Sequence, residues 1–159
     1  MTPSSSDEIL VVGLGSENSG DDACGLEVAR TLARTPLPGV QVAELAGDLT
    51  RLLDLWQGRA LVIVVDAVRS SQPPGSIERL NLTNPGFERA ARSLSTHGLS
   101  LWEAIGLSTT LGQMPERLVL YGISAARLET GDSLSAPVAA AIPETARQIV
   151  DEVTSRKRD

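Results

Sequence analysis

The sequence predicts a single α/β domain with three layers, in which a mostly parallel, five-stranded twisted sheet has helices on both faces. Three observations lead to this fold class. Strand-like runs alternate with segments of helical periodicity, the order typical of parallel sheets built from right-handed crossovers. The apolar runs at 9–15 and 60–65 are typical of buried parallel strands. The chain has 159 residues, the size of one ordinary domain, and no repeat or linker divides it.

The first half of the chain alternates strands and helices. In order, the patterns predict a strand at 9–15, a helix from about residue 22 to the prolines at 36 and 38, a strand at 40–45, a short helix at 48–58 and a strand at 60–65. Asp21 or Asp22 can cap the first helix, because a carboxylate accepts hydrogen bonds from first-turn N–H groups. Asp48 can cap the second helix, and Gly58 can end it.

The second half begins less regularly. In order, its patterns predict a Ser-, Pro- and Gly-rich loop at 69–75, a weaker edge strand at 76–82, a mobile segment with a helical turn at 84–94, a helix at 99–110, a buried strand at 117–123 and a helix at 136–156. Pro143 is expected to bend the last helix, because proline lacks the N–H of the helix ladder. Residues 1–7 and 155–159 are expected to form flexible tails of the domain that spans 1–159.

Composition argues against several classes of partner. The chain has 14 Lys and Arg against 20 Asp and Glu, and its net charge of -6 disfavours binding to nucleic acid. The longest apolar stretch, Leu61–Val65, is far shorter than the roughly 20 residues that cross a bilayer, so no membrane partner is expected. The single Cys24 cannot form an internal disulfide. This lack of an internal disulfide, together with the lack of a charged-then-apolar leader at the N-terminus, leads us to expect a cytoplasmic protein.

Three polar side chains are candidates for a functional site. Asp66 ends the apolar run of the third strand, and the carboxyl ends of strands form the ligand crevice of open α/β sheets. The pair Asp21-Asp22 follows the first strand, and His97 is the only histidine. If the first and third strands are neighbours, Asp22, Asp66 and the loop bearing His97 could meet at one edge of the sheet.

Two familiar kinds of site fit poorly. Gly13-Leu14-Gly15 begins a dinucleotide-binding pattern, but its third glycine would fall on Asn18, and the acidic pair would repel a pyrophosphate. A nucleophilic hydrolase would use Ser95, Thr96 or Ser16 with the histidine and Asp66, yet no Gly-x-Ser-x-Gly elbow is present. Cys24 is expected to pack in the core, because the charge of Asp22 would raise its pKa and disfavour a thiolate.

A metal site suits the three candidates better. Two carboxylates and one imidazole are oxygen and nitrogen donors that bind first-row divalent ions, and three protein ligands leave coordination positions open. Structural roles remain as alternatives: an ordinary polar residue for His97, a helix cap for Asp22 and a strand-end turn for Asp66.

The sequence resembles a known family, the maturation endopeptidases of nickel-iron hydrogenases. The similarity runs from about residue 8 to 154 and rests on four segments in this order and spacing. These are Val11–Ser16 with the turn Gly20–Gly25, Val64–Ala67, Ser95–Leu101 and the strand Leu118–Ile123.

The resemblance implies the function and the roles of the candidates. Asp22, Asp66 and His97 match the residues that contact nickel in the family and are the implied catalytic and metal residues. The implied reaction is that of an aspartic-type endopeptidase, which removes the C-terminal extension of the hydrogenase large-subunit precursor after nickel insertion. Nickel is then carried by the substrate rather than bound permanently, and serves as the recognition signal. The protease is expected to be a monomer.

Some positions depart from the family pattern. Ser16 stands where asparagine is usual, and Ala23 replaces a glycine that is often present. Glu44 and Asp48 only loosely match the acidic, glycine-rich segment after the second strand and are weak site candidates. Two other functions remain open: a module that binds the metal-loaded subunit without cutting it, and a self-sufficient metal hydrolase that would purify with stoichiometric zinc.

Overall fold

The computed structural model describes residues 8–17, 19–47, 49–86, 95–96, 101–126 and 133–158. Six strands are found in these ranges: β1 (Ile9–Leu14), β2 (Val40–Leu45), β3 (Leu61–Arg69), β4 (Ile77–Asn81), β5 (Ser95–Thr96) and β6 (Leu118–Ser124). The helices are α1 (Cys24–Ala33), α2 (Leu49–Trp56), α3 (Leu101–Leu111) and α4 (Ala136–Arg158), and a 3-10 turn (Gly20–Ala23) precedes α1.

The main sheet has five strands in the order β2-β1-β3-β6-β4. The first four are parallel, and β4 pairs antiparallel with β6 at the edge. The two-residue β5 lies off this path and pairs antiparallel with β3. The predicted fold class is therefore confirmed, including the weak edge strand. The first and third strands are neighbours, which is the condition that the sequence left open.

Alternate residues of the central strands pack on opposite faces of the sheet. On one face, Val11, Ile63 and Val65 join a core cluster with α1 and α4. On the other face, Val12 and Val64 join a cluster with α2 and α3. Each buried Val, Leu or Ile side chain stabilises the fold by roughly 1.5–3 kcal/mol, so both helical layers are held to the sheet by apolar burial. None of the described helices is both long and apolar enough to cross a membrane.

Strand β3 is longer than predicted. The sequence pattern ends this strand at Val65, but β3 continues to Arg69, and Asp66 lies inside it. The reason is pairing that local sequence does not encode. Strand β6 pairs with β3 as far as Val68, and β5 pairs with its last two residues. The backbone groups beyond Val65 are thus hydrogen-bonded in the sheet rather than released into a loop.

Helix boundaries also differ from the predictions. Helix α1 starts at Cys24 after the 3-10 turn, and its N-cap residue is Ala23, so the prediction that Asp21 or Asp22 is the N-cap is wrong. Helix α4 runs through Pro143 to Arg158 and includes most of the expected C-terminal tail. Asp48 and residues 87–94 lie outside the described residues, so the predicted cap of α2 and most of the 84–94 segment are not described.

Candidate functional site

The neighbouring strands β1 and β3 form the switch point of the sheet. From β1 the chain passes through α1 to β2 on one side, and from β2 it returns through α2 to β3 on the other side of β1. Helices α1 and α2 pack on opposite faces. A crevice opens at such points beyond the carboxyl ends of the strands, where ligands bind in open α/β sheets.

Two glycines let α1 approach this edge closely. A Cβ atom added at Gly25 would lie 2.2 Å from the carbonyl oxygen of Leu14 and 2.5 Å from that of Val65. A Cβ added at Gly13 would lie 2.1 Å from the carbonyl oxygen of Gly25. Because only glycine fits at both positions, the start of α1 rests directly on the ends of β1 and β3.

Asp22 is held in the 3-10 turn by its own backbone. Its N–H donates to the carbonyl of Ser19 at 3.2 Å, and its carbonyl accepts from the N–H of Ser16 at 3.2 Å. Gly15 is also required here, since an added Cβ would lie 2.2 Å from the Asp22 carbonyl oxygen. Asp22 is only 4% exposed. The closed loop between β1 and α1 therefore fixes a buried acid beside the switch point.

Asp66 lies in β3 immediately beyond the last residue that pairs with β1. Val65 pairs with Gly13 of β1, whereas Asp66 pairs only across the other edge, with Gly122 of β6. On the β1 side, the next partner is Thr96 of β5, opposite Val68. Asp66 therefore lies between the part of β3 that pairs with β1 and the part that pairs with β5. It is 2% exposed.

The buried acids influence each other electrostatically. Burial raises the pKa of Asp66 well above its usual value, and the negative charge of Asp22 raises it further, while a hydrogen bond from the N–H of Ala67 lowers it. The charged form of Asp66 is thus disfavoured in the isolated protein. A proton or a cation between the two carboxylates would relieve this repulsion.

Cys24 has the packing role that the sequence predicts. It is fully buried in the core cluster with Val28 and Ile63. Burial, and then the charges of Asp66, Asp21 and Asp22, raise the pKa of its thiol. A thiolate is therefore strongly disfavoured at this position.

Asp21 differs from its neighbour Asp22. Its carboxylate is fully buried and accepts hydrogen bonds from Ala126 and Ser135, which flank the connection between β6 and α4. The sequence alone does not distinguish the roles of the two adjacent acids. A pair of adjacent residues in a tight turn is a signal that their side chains point to different surroundings.

The remaining candidates are less fully described. His97 and Asp48 lie outside the described residues. Glu44 belongs to an exposed ion-pair cluster in which Arg30 contacts Glu44 and Glu27, each at 2.9 Å, and also Glu17. Within the ranges that the structure describes, no group of three or more His, Cys, Asp or Glu side chains is arranged to hold a metal ion.

Comparison with known proteins gives a consistent result. The family model described as HycI, hydrogenase maturation protease, matches residues 26–152. The hydrogenase expression/formation protein HupD of Thiocapsa roseopersicina is 28% identical over 124 residues, which cover 77% of this chain and 56% of HupD. The chain therefore spans little more than half the length of that relative.

Solved structures share the fold over nearly the whole chain. The solution structure of an endopeptidase from Escherichia coli is 26% identical, covers 93% of each chain and has a TM-score of 0.80. The NiFe hydrogenase maturation protease HybD from Thermococcus kodakarensis is 25% identical, with a TM-score of 0.71 over 91% of this chain and 97% of that one. The order of strands and helices around the switch point is thus a shared architecture.

Proposed function

Because the chain belongs to the hydrogenase maturation protease family, we propose that it removes the C-terminal extension of a nickel-iron hydrogenase large-subunit precursor after nickel insertion. The family match confirms the resemblance drawn from the four sequence segments, and it confirms the predicted enzyme class, since this is a family of peptide hydrolases. The observation that carries the proposal is the pair of buried carboxylates, Asp22 and Asp66, at the switch point between β1 and β3.

Nickel in this proposal is part of the substrate. The two acids raise the free energy of each other's charged form, and this repulsion is relieved when a divalent cation enters between them. Oxygen donors together with cysteine thiolates from the precursor suit a first-row metal. A precursor that carries nickel would therefore bind more favourably than one that lacks it, and the metal would act as the recognition signal.

We include His97 in the proposed site because of the strand that precedes it. Thr96 pairs with Val68, two residues beyond Asp66 along β3. Strand β5 is antiparallel to β3, so the chain direction at Thr96 points back toward Asp66. His97 follows Thr96 directly in the sequence, and we propose that its imidazole acts together with the two acids.

The chain's own residues would then perform an aspartic-type hydrolysis. Asp22, Asp66 and His97 bind the precursor through its nickel and hold the adjoining peptide bond at the switch point. Bound nickel supplies Lewis acidity. Asp22 or Asp66 orients the attacking water and accepts its proton, since a carboxylate within hydrogen-bond reach can act as a general base. The same carboxyl group then gives this proton to the nitrogen of the leaving C-terminal peptide as the C–N bond breaks. The reaction is proposed to occur in the cytoplasm, with the protease as a monomer.

A cleavage assay tests this function. Purified protein is mixed with nickel-loaded and nickel-free precursor, and loss of the C-terminal extension is followed by mass spectrometry. We expect cleavage of the loaded form alone, and loss of cleavage in Asp22→Asn, Asp66→Asn and His97→Ala. Asp54→Asn is the matched control, because Asp54 is an exposed acid on α2.

The same assay separates the two other functions. Nickel-dependent binding without cleavage would identify a module that only recognises the metal-loaded subunit. Cleavage of both precursor forms by protein that purifies with stoichiometric zinc would identify a self-sufficient metal hydrolase. Equal cleavage by wild type, Asp22→Asn and Asp66→Asn would show that the active centre lies elsewhere.

A further inference from the structure

We propose that Asp21 is a positioning residue, whose buried carboxylate ties the turn that carries Asp22 to the connection between β6 and α4. This inference rests on the proposed function, because it assigns Asp21 a role in placing Asp22 for peptide cleavage. Asp21 itself is not assigned any contact with nickel or with the scissile bond.

From the described residues, the carboxylate of Asp21 accepts three short hydrogen bonds. Its Oδ1 accepts from the N–H of Ser135 at 2.7 Å. Its Oδ2 accepts from the N–H of Ala126 at 2.7 Å and from the hydroxyl of Ser135 at 2.9 Å. Asp21 is 0% exposed. These bonds are charge-assisted, about twice as strong as neutral ones, and their directions fix the turn relative to both donors.

The two donors are anchored to different parts of the fold. Ala126 follows Ala125, whose N–H donates to the carbonyl of Val68 at 3.0 Å. Val68 lies on β3, two residues beyond Asp66. A chain of hydrogen bonds therefore links the turn that carries Asp22 to the strand that carries Asp66.

Ser135 provides the second anchor. Its carbonyl accepts from the N–H of Ala139 at 2.9 Å, so Ser135 is joined to the first turn of α4. Helix α4 packs against α1 through the core cluster that includes Val138 and Val28. Asp21 is thus held between the end of β6 and the start of α4.

The turn has little freedom to adjust if this anchor is lost. On its C-terminal side, Gly25 already lies against the carbonyls of Leu14 and Val65. Because α1 cannot move to compensate, a shift of the Asp21 backbone also shifts Asp22. A misplacement of about 1 Å at a reacting group can lower a catalytic rate about a hundredfold.

Two substitutions weaken the anchor without changing the proposed catalytic residues. Asp21→Asn keeps the side-chain volume but replaces one acceptor oxygen with an N–H₂ donor, which would face a donor of Ala126 or Ser135. Ser135→Ala removes the hydrogen bond from the Ser135 hydroxyl and leaves the backbone N–H donors of Ala126 and residue 135. We expect kcat for nickel-loaded precursor to fall about 10- to 100-fold in Asp21→Asn and roughly 5-fold in Ser135→Ala. KM should change less than kcat, because no residue that contacts the precursor is removed.

Ser108→Ala is the matched control. The Ser108 hydroxyl oxygen accepts a buried hydrogen bond from Trp56 Nε1 at 3.0 Å, between α3 and α2. The change is the same serine-to-alanine change in a buried place, but on a bond that does not involve the acidic turn. We expect Ser108→Ala to lower Tm as Ser135→Ala does, while its kcat remains that of wild type.

The experiment measures kcat, KM, Tm and amide hydrogen exchange at Ala126 and Ser135 in wild type and the three variants. A fall in kcat that exceeds any change in KM in Asp21→Asn and Ser135→Ala, together with faster exchange at these amides, supports the inference. Wild-type kcat in both variants, or an equal fall in Ser108→Ala, overturns it. If Asp21→Asn does not fold, Ser135→Ala decides.

Failure of the proposed function has a different signature. If wild type does not cleave the loaded precursor although the two amides are protected, the proposed function is wrong, and the positioning role is rejected with it. If wild type cleaves the loaded precursor and Asp21→Asn and Ser135→Ala cleave it equally fast, only the role of Asp21 is rejected.

Discussion

Gly25 on α1 lies against Val65 on β3 so closely that an added Cβ would be 2.5 Å from the Val65 carbonyl oxygen. Val65 immediately precedes Asp66, and Gly25 follows Asp22 by three residues. This contact of a helix with the backbone of a strand therefore sets the spacing between the two elements that carry the acids.

Gly25→Ala should consequently lower both stability and cleavage. The added methyl group meets backbone atoms, which cannot move aside as a flexible side chain would, and overpacking of this kind costs about 1–3 kcal/mol or more. Urea denaturation and the cleavage rate measure the two effects. Gly106→Ala on α3 is the control, because nothing lies within 4 Å of a Cβ at that position. It should stabilise the protein by about 0.5–1 kcal/mol, since alanine favours a helix interior. Equal effects of the two substitutions would show that the close contact is unimportant.

Asp66→Asn should make the metal-free protein more stable at neutral pH while it abolishes cleavage. Burial and the charge of Asp22 raise the pKa of Asp66 in the folded state. The folded protein therefore holds this proton at pH values where the unfolded chain has lost it, and wild type loses stability as pH rises from the unfolded pKa, about 3.9, through the folded pKa. The asparagine side chain does not ionise and avoids this loss.

Thermal unfolding in the presence of a chelator, from pH 3 to pH 8, tests the effect. The Tm advantage of Asp66→Asn should grow as pH rises and then become constant. Asp54→Asn, which alters an exposed acid, should show no such trend. A lower Tm for Asp66→Asn across the whole range would contradict the electrostatic description of the site.

The sequence identifies the strands well because their apolar runs are local. The runs at 9–15 and 60–65 predict β1 and β3. The sequence does not determine that these two strands are neighbours, because strand order depends on long-range pairing. Local sequence does not predict where β3 ends, because the continuation of this strand past Val65 depends on pairing with β6 and β5. The different roles of Asp21 and Asp22 were also hidden, because Asp21 is recognised by Ser135, which is 114 positions away.

A half-buried carboxylate, that of Glu152, also stabilises the fold. Glu152 on α4 accepts two hydrogen bonds from Arg79 of β4, each at 2.8 Å, and one from the hydroxyl of Tyr121 on β6. Burial by itself raises the pKa of Glu152, but these hydrogen bonds outweigh it and hold the pKa below its usual value. The charged form of Glu152 therefore joins the edge strand to the last helix.

Glu152→Gln should lower the unfolding free energy by about 1–3 kcal/mol at pH 7. A lowered folded pKa gives stability above the unfolded pKa, about 4.3, and this stability is lost as pH falls through the folded pKa. The difference between Glu152→Gln and wild type should therefore shrink below about pH 4. Glu144→Gln, on the exposed side of the same helix, should change stability little. A deficit of Glu152→Gln that does not depend on pH would contradict a charge-based role.

The most direct test of the site is X-ray absorption at the nickel edge, recorded for the loaded precursor alone and for its complex with the protease under conditions that prevent turnover. We expect the complex with wild-type protein to show additional oxygen or nitrogen ligands on nickel, and Asp66→Asn to lose part of this change. Asp54→Asn should give the wild-type spectrum. An identical nickel spectrum for free precursor and for the wild-type complex would contradict the claim that Asp22 and Asp66 bind the nickel directly.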